Sequence, residues 1–289
     1  MEGRYRDNGE LRYLLRSIAR YWTLQGQIYL VTDQQVPDFI ASHPRLHIVD
    51  HQDIMPDANL PVFSSRAIEA NLHRIPGIAE HFVAFNDDLF LTRSVGYEDF
   101  FGTLGAVIYL TDELMPEQIS IQNFSGPNDA LQASHWVAER YGKPYLNHVA
   151  EHAPKGIRTS WMRELEAQDP TIFTTTSQER FREVGGQSIL ANLYGHWCLA
   201  IGRATIRKNQ CVYLLSDQIE SSVQPATLAQ SMADKLCLCI NDTTGNRAEA
   251  EIALMRMKLK LLLDTLYPDS CQFEKLFHQI LKNSCTSTQ

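Results

Sequence analysis

The chain has 289 residues, of which 44% are apolar and 21% charged, and its formal net charge is −8. This is ordinary globular composition, and the acidic balance argues against non-specific nucleic-acid binding and against adhesion to an anionic membrane. No apolar run reaches the roughly 18–20 residues of a membrane span, and the N-terminus lacks a basic-then-apolar signal pattern. The expectation is a soluble, cytoplasmic protein without an integral membrane segment.

The first element runs to Trp22. Asp7, followed three residues later by Glu10, predicts a capping box in which Asp replaces the usual Ser or Thr. Leu11, Leu14, Leu15, Ile18 and Trp22 recur at helical spacing and predict a helix. Arg12 and Arg16 lie one turn apart, and Arg16 reads as part of a solvated basic face. Asp7, Asn8 and Arg12 stand at or near the helix start, where free N–H groups and the helix dipole attract anions.

Gln27–Val31 predicts a strand that stops at Thr32-Asp33, and Pro37–Ile40 a turn or short helix. Leu46–Val49 predicts a second strand, stopping at Asp50-His51-Gln52-Asp53. Ser64 or Ser65 can cap a helix carrying Ile68, Leu72 and Ile75, with His73 and Arg74 riding on it. Phe82–Phe85 predicts a third strand, ending at Asn86-Asp87-Asp88. Adjacent carboxylates at the edge of a core are costly unless offset, and their hard oxygens suit Mg²⁺ or Mn²⁺. The alternative is a solvated turn. The alternation of helix and strand predicts an α/β fold, a largely parallel sheet flanked by helices, with its polar strand ends converging on one edge.

Residues 106–144 read as a variable insertion covering the site, with a loop over Ile119–Asp129 and a helix over Leu131–Tyr141. His148 and His152 are four apart and can share a helix face before Pro154. His152 suits a general base, His148 a structural role. Trp161–Leu165 predicts a helix, and Thr174–Ser177 a cap for the next element. Arg180-Phe181-Arg182 sets two guanidinium forks near each other, which suits phosphate, against the alternative of two surface arginines. The six cysteines form no C-x-x-C pair, and Cys237 and Cys239 read as small hydrophobes in a strand over Leu236–Ile240. That strand stops at Asn241-Asp242-Thr243, repeating the ending Asn86-Asp87. Asn246–Leu266 predicts an amphipathic helix, and the polar tail after Leu281 is expected to fray.

In order, Arg4-Tyr-Arg-Asp-Asn-Gly-Glu-Leu-Arg-Tyr, Ile28-Tyr-Leu-Val-Thr-Asp, Leu60-Pro61, Ala67-Ile-Glu with His73-Arg-Ile-Pro-Gly77, and Phe85-Asn-Asp-Asp-Leu-Phe90 resemble the second conserved region of the Stealth-type sugar-phosphate transferases. His152-Ala-Pro154 through Arg180-Phe-Arg182 is similar to the third region. Cys239-Ile-Asn-Asp-Thr243 with Tyr267-Pro268, Ser270 and Phe273-Glu274 is similar to the fourth. The resemblance implies one catalytic domain over 1–289, with the second region at 1–105, the third at 145–210 and the fourth at 235–275. It implies a glycosyltransferase-A-like, Rossmann-like fold. The implied reaction moves a hexose-1-phosphate, such as an N-acetylhexosamine-1-phosphate, from a UDP-sugar (UDP-GlcNAc) to a sugar hydroxyl in capsular or exopolysaccharide synthesis. Alternatives are an inactive homologue that only binds nucleotide-sugar, or a glycosyltransferase forming a glycosidic bond. Implied partners are the donor, a saccharide acceptor and, peripherally, a capsule-assembly complex.

On the matching positions, the resemblance implies that Asp87, Asp88 and Asp242 hold Mg²⁺ or Mn²⁺ on the diphosphate. His152, Asp7 and Arg182 would be catalytic, His152 by taking the hydroxyl proton. Asn8, Arg12, Thr32, Asp33, His73, Arg74 and Arg180 would bind substrate. The family's first conserved region, an apolar strand with a Trp-Val-Asp/Asn-Gly-like ending, has no counterpart before Arg4. The expectation is therefore a sheet short of one strand and a site short of one acidic residue.

Overall fold

The computed structural model describes residues 6–118, 126–182, 186–216, 219, 225–245 and 247–275. Arg4-Tyr5 of the first motif, the loop expected through 119–125, Asn246 and the tail after Leu281 lie outside the described residues. The class is α/β. Helix α1 (Glu10–Tyr21) leads into the parallel pair β1 (Ile28–Thr32) and β2 (Leu46–Asp50), in register from Ile28 opposite Leu46 to Thr32 opposite Asp50. A short helix, α2 (Ser65–Glu69), and a 3₁₀ turn at Leu72–Arg74 then deliver β3 (His81–Ala84). His73 and Arg74 thus ride on the 3₁₀ turn, not on the expected long helix, because Asn71 ends it by bonding back to the Ala67 carbonyl.

The sheets are mixed rather than largely parallel. Strand β3 pairs antiparallel with β8 (Lys155–Arg158). The next strand, β4 (Leu89–Leu91), belongs to another sheet, antiparallel to β11 (Cys237–Asn241), which runs parallel to β10 (Cys211–Leu215). A hairpin joins β5 (Phe101–Gly102) to the ten-residue β6 (Gly105–Leu114), which also pairs antiparallel with β7 (His148–Ala150) and parallel with β9 (Ala204–Lys208). Short connections such as this hairpin force antiparallel pairing, whereas helix–strand alternation predicts crossovers. Residues 106–144 are consequently no appended cover. They supply β6 and the helix α3 (Gly126–Tyr141), whose Ala133, Trp136 and Val137 are buried. His148 lies on β7, so no helix face joins it to His152.

Five apolar clusters hold these layers among the described residues, two of them the largest. In one, α3, α4 (Thr159–Gln168), α5 (Pro170–Ser177) and α6 (Tyr194–Ala200) gather Trp136, Met162, Leu165, Phe173, Tyr194 and Trp197. Helix α5 is capped by Asp169, which accepts from the Ile172 N–H, so Thr174–Ser177 is helix interior and not a cap. In the other, α1 and the last helix pack Tyr13, Leu14, Met255, Leu259 and Leu263 on Phe90, Leu238 and Ile240 of β4 and β11. Helix α7 (Pro225–Met232) adds Leu228 and Met232 there, and the last helix is α8 (Glu249–Leu266). Full burial of each large side chain contributes about 1.5–3 kcal/mol. Among the described residues no helix is long and apolar enough to cross a membrane.

Gly156 on β8 faces the Phe100 backbone so closely that a Cβ would collide with the Phe100 carbonyl oxygen. Gly156→Ala should therefore lower stability by about 1–3 kcal/mol, the usual cost of overpacking. The check is a shifted urea midpoint with unchanged m value; a midpoint equal to wild type would show that the backbone yields freely.

Candidate active site

The acidic triplet is the crossing between two sheets. Phe85-Asn86-Asp87-Asp88 leaves β3 and enters β4, whose Leu89, Phe90 and Leu91 are wholly buried. The Asp88 carbonyl accepts the Ile240 N–H at 3.1 Å, which fixes the triplet to the outgoing end of β11. Because β4 and β11 run antiparallel, Asp87-Asp88 and Asn241-Asp242 are brought to one rim. The echo between the two motifs is therefore real in space, through the opposite pairing from the one expected.

His152 enters from the turn after β7. Its Nε2 lies 3.2 Å from Asp88 Oδ1, and the His152 side chain is 38% exposed. The turn is pinned on both sides. The Glu151 N–H donates to the Tyr109 carbonyl at 2.8 Å, and the Glu151 carboxylate accepts the Gln210 N–H at 2.9 and 3.0 Å. Cys211 Sγ meets the His152 carbonyl at 3.2 Å, and the Tyr213 ring stands edge-on to the imidazole. Burial first, then the nearby Cys239 and Asp88, push the Tyr213 hydroxyl up to about 12. Behind Asp88, Cys239 Sγ donates to Oδ2 at 3.5 Å, and burial holds that thiol in its protonated form.

Asp87 is an exposed residue of this rim, next to Asp88 and near Asp7. Loss of surrounding water, then the Asp88 charge and, less, Asp7 raise its carboxyl above the ordinary range. The start of the chain closes the rim. Asp7 accepts the Gly9 N–H at 2.7 Å, and Gly9, with φ +87°, is the N-cap of α1. The expected capping box is absent: the left-handed Gly9 turns the chain so that Glu10 folds back on the Asn8 N–H and amide. Glu10 is 7% exposed; its burial, aided by Asp87, raises its carboxyl despite those bonds. Asn8 Nδ2 also donates to Asp242 Oδ2 at 3.3 Å and its Oδ1 accepts from Arg256 Nε at 2.9 Å.

Asp242, expected to be a metal ligand, is held by protein donors. Its Oδ2 accepts Arg6 NH1 at 3.1 Å and its Oδ1 accepts the Thr244 N–H and hydroxyl. Burial alone would raise this carboxyl, but the Thr244, Asn8 and Arg6 contacts outweigh it and hold it below the ordinary range. Arg6 thus pairs with Asp242 at the edge of the acidic cluster.

The other expected site residues are engaged elsewhere. Arg12 packs over Phe39 and lies 3.8 Å from Glu274. Arg16 is no solvated residue: its guanidinium grips Glu274 at 2.8 and 3.0 Å and the Tyr267 carbonyl at 3.0 Å. His73 and Arg74 both bond Glu166 of α4. Thr32 donates to Gln35 within its own turn, and Asp33 lies on the β1–β2 rim, where it opposes the effect of burial, which lowers the His51 pKa. Arg180 faces the Phe63 ring, Phe63 stacks on Phe181 at 5.2 Å, and Arg182 bonds the Ser65 hydroxyl at 2.5 Å. The guanidinium forks thus sit over α2. Arg6, Glu10 and Cys239 join the acidic cluster without having been singled out. The signal for Arg6 and Cys239 was their place inside the motifs that carry Asp7-Asn8 and Asn241-Asp242.

The profile of "Stealth protein CR2, conserved region 2" matches residues 4–109, the stretch that carries Asp7, Asn8, Asp87 and Asp88. The chain belongs to the Stealth proteins. An exopolysaccharide phosphotransferase of Streptomyces coelicolor is 32% identical to this Stealth chain over 280 residues, covering 94% of this chain and 46% of the relative. The receptor polysaccharide phosphotransferase WefC of Streptococcus oralis is 29% identical over 297 residues, covering 93% and 87%. The Stealth chain therefore spans about half the length of the Streptomyces relative and most of WefC. Among solved structures, the galactosyltransferase LgtC aligns with 89% of this chain and 92% of its own, at TM-score 0.46 and 8% identity.

Proposed function

We propose that this chain is a polysaccharide phosphotransferase. It moves a hexose-1-phosphate from a UDP-sugar to a saccharide hydroxyl and so makes a phosphodiester for capsular or exopolysaccharide assembly. The names of its relatives point to that chemistry, and one observation carries it here: the 3.2 Å contact between His152 Nε2 and Asp88 Oδ1, with Asp87 alongside. Phosphoryl transfer asks for positioning and charge neutralisation more than covalent chemistry. Asp88 accepts the Nε2 proton, which fixes the imidazole tautomer and leaves Nδ1 to take the proton of the attacking hydroxyl. Tyr213, edge-on, limits the ring's rotation. Arg256, bonded to the uncharged Asn8 amide, brings positive charge to the rim where the diphosphate would lie, while Arg6 balances Asp242.

The acids also fit a divalent cation. Among the described residues no arginine or lysine forms a salt bridge with Asp87 or Asp88, and loss of water with the adjacent Asp88 charge raises the Asp87 carboxyl. Mg²⁺ and Mn²⁺ sites of this kind use one or two carboxylates and complete themselves with substrate phosphates. Asp87 and Asp88 would hold the ion; Asp242, neutralised by Arg6, frames it. When bound, it would neutralise charge on the diphosphate. The test supplies UDP-GlcNAc and related UDP-sugars with an oligosaccharide acceptor, with and without Mg²⁺ or Mn²⁺. The expected products are UMP and a phosphodiester-linked saccharide, formed only with the cation. Asp87→Asn should reduce turnover at least about tenfold and raise the cation concentration needed, since a hard ligand is lost. UDP release with a glycosidic product would overturn the reading in favour of a glycosyltransferase.

A further inference from the structure

Beneath the Asp87 rim lies a second donor set of different chemistry. A carboxylate oxygen of Asp88, a ring nitrogen of His152 and Cys239 Sγ all lie within 4.8 Å of one another. Asp88 meets the other two through different oxygens: Oδ1 lies 3.2 Å from His152 Nε2, and Oδ2 lies 3.5 Å from Cys239 Sγ. A tetrahedral zinc ion, with metal–ligand distances of about 2.0–2.3 Å, spaces its ligands about 3.3–3.7 Å apart. Each of the two contacts with Asp88 is near that spacing, and one donor atom from each of the three side chains lies within 4.8 Å of the others before any ion arrives.

The donor types select the ion. Thiolate and imidazole favour zinc-class cations, whereas Mg²⁺ and Mn²⁺ favour oxygen. Three protein ligands with a fourth position open is a common zinc arrangement. Access is one-sided: Cys239 is wholly buried, while the Asp88 and His152 side chains are 22% and 38% exposed. Backbone pairing holds all three donors: Asp88 and Cys239 at adjacent positions of the β4–β11 pairing, and His152 through the Glu151 turn.

We propose that Asp88, His152 and Cys239 form a binding site for a zinc-class soft divalent cation, and that its occupation shuts off transfer. The second half rests on the phosphotransferase reading; the binding site does not. On binding, the Cys239 thiol gives its proton to solvent, and one thiolate and one carboxylate then balance the two positive charges of the ion. The ion engages His152 and Asp88 together. The general base and its orienting partner are thereby removed from the reaction, and hard-cation binding at Asp88 is excluded.

The test titrates Co²⁺, a spectroscopic stand-in for zinc, into the full chain stripped of metal. A thiolate-to-cobalt charge-transfer band in the near ultraviolet is expected, together with visible bands of tetrahedral intensity, and added Zn²⁺ should bleach both. Cys239→Ser should lose the charge-transfer band, and Cys271→Ser should keep it. His152→Asn, on a half-exposed turn, should weaken Co²⁺ binding at least about tenfold, so a folding defect in the cysteine variant does not decide the matter. Absence of the band in the wild type, or its persistence in Cys239→Ser, would overturn the site. In the transfer assay with excess Mg²⁺, Zn²⁺ should inhibit the wild type and be at least about tenfold weaker against Cys239→Ser. Cobalt binding without any transferase activity would leave the site standing and count against the phosphotransferase reading alone.

Discussion

His152→Ala should lower the transfer rate by about 10²–10⁴-fold, the usual worth of a positioned general base. The donor should still bind, because the rim residues Arg6, Asn8 and Asp242 bond one another and not His152. The loss should therefore fall on kcat, with KM for the nucleotide-sugar nearly unchanged. Asp88→Asn provides the companion variant. It keeps the shape and a hydrogen-bonding oxygen but removes the charge that stabilises the protonated imidazole. It also removes a carboxylate from the proposed cation site, so its effect should equal or exceed that of His152→Ala. The measurement is steady-state UMP release against donor concentration, with circular dichroism to show that each variant is folded. A His152→Ala enzyme with undiminished kcat would remove His152 from the mechanism.

The second large effect concerns stability. Arg16 and Glu274 form a two-pronged ion pair with side chains only 10% and 6% exposed. This pair fastens α1 to the segment after α8, beside Leu15, Ile40 and Phe273. Glu274→Ala leaves the Arg16 guanidinium buried without its carboxylate, which typically costs about 3–5 kcal/mol. That is a large share of the stability of any single domain. A pH signature accompanies it. Burial by itself would raise the Glu274 carboxyl, but the Arg16 bonds, the Cys271 N–H and the Arg16 and Arg12 charges hold it below the ordinary range. A depressed folded pKa means the pair contributes fully above the ordinary glutamate value. Its contribution fades as pH falls through the lower folded value. Urea midpoints from neutral to acid pH should therefore fall less steeply in Glu274→Gln than in the wild type. Parallel curves would show that Arg16 does not hold the carboxyl down.

What the sequence disclosed depended on the range of the interactions. Helix α1 and the strands at Ile28, Leu46, Phe82 and Leu236 follow from apolar spacing, which is local, and the structure contains each of them within a residue or two. The capping box failed at one backbone angle: the positive φ of Gly9 redirects Glu10 to Asn8. Sheet polarity failed for a longer-range reason. Nothing near Phe85 indicates that the chain changes sheets between Ala84 and Leu89. The site was legible where acids, amides and His152 lie within recognisable motifs. It was illegible where the partner decides the role. Arg12 and Arg16 look alike in sequence, yet a glutamate some 258 residues beyond Arg16 claims them both. Asp242 resembles Asp87 in its setting, but Arg6 pairs with the one and, among the described residues, no arginine or lysine forms a salt bridge with the other.

The rim joins residues from opposite ends of the chain: Arg6 and Asp242 are 236 positions apart, and Asn8 and Asp242 are 234 apart. Closing such loops costs entropy that only a finished core can offset. The rim therefore depends on the pairing of β4 with β11 and on the packing of α1 and α8 around them. A chain stalled partway through folding carries Asp87-Asp88 without its cationic frame and without His152 in place. Assembly of the candidate site thus becomes a readout of completed folding, since its residues meet only when both ends of the chain are in place.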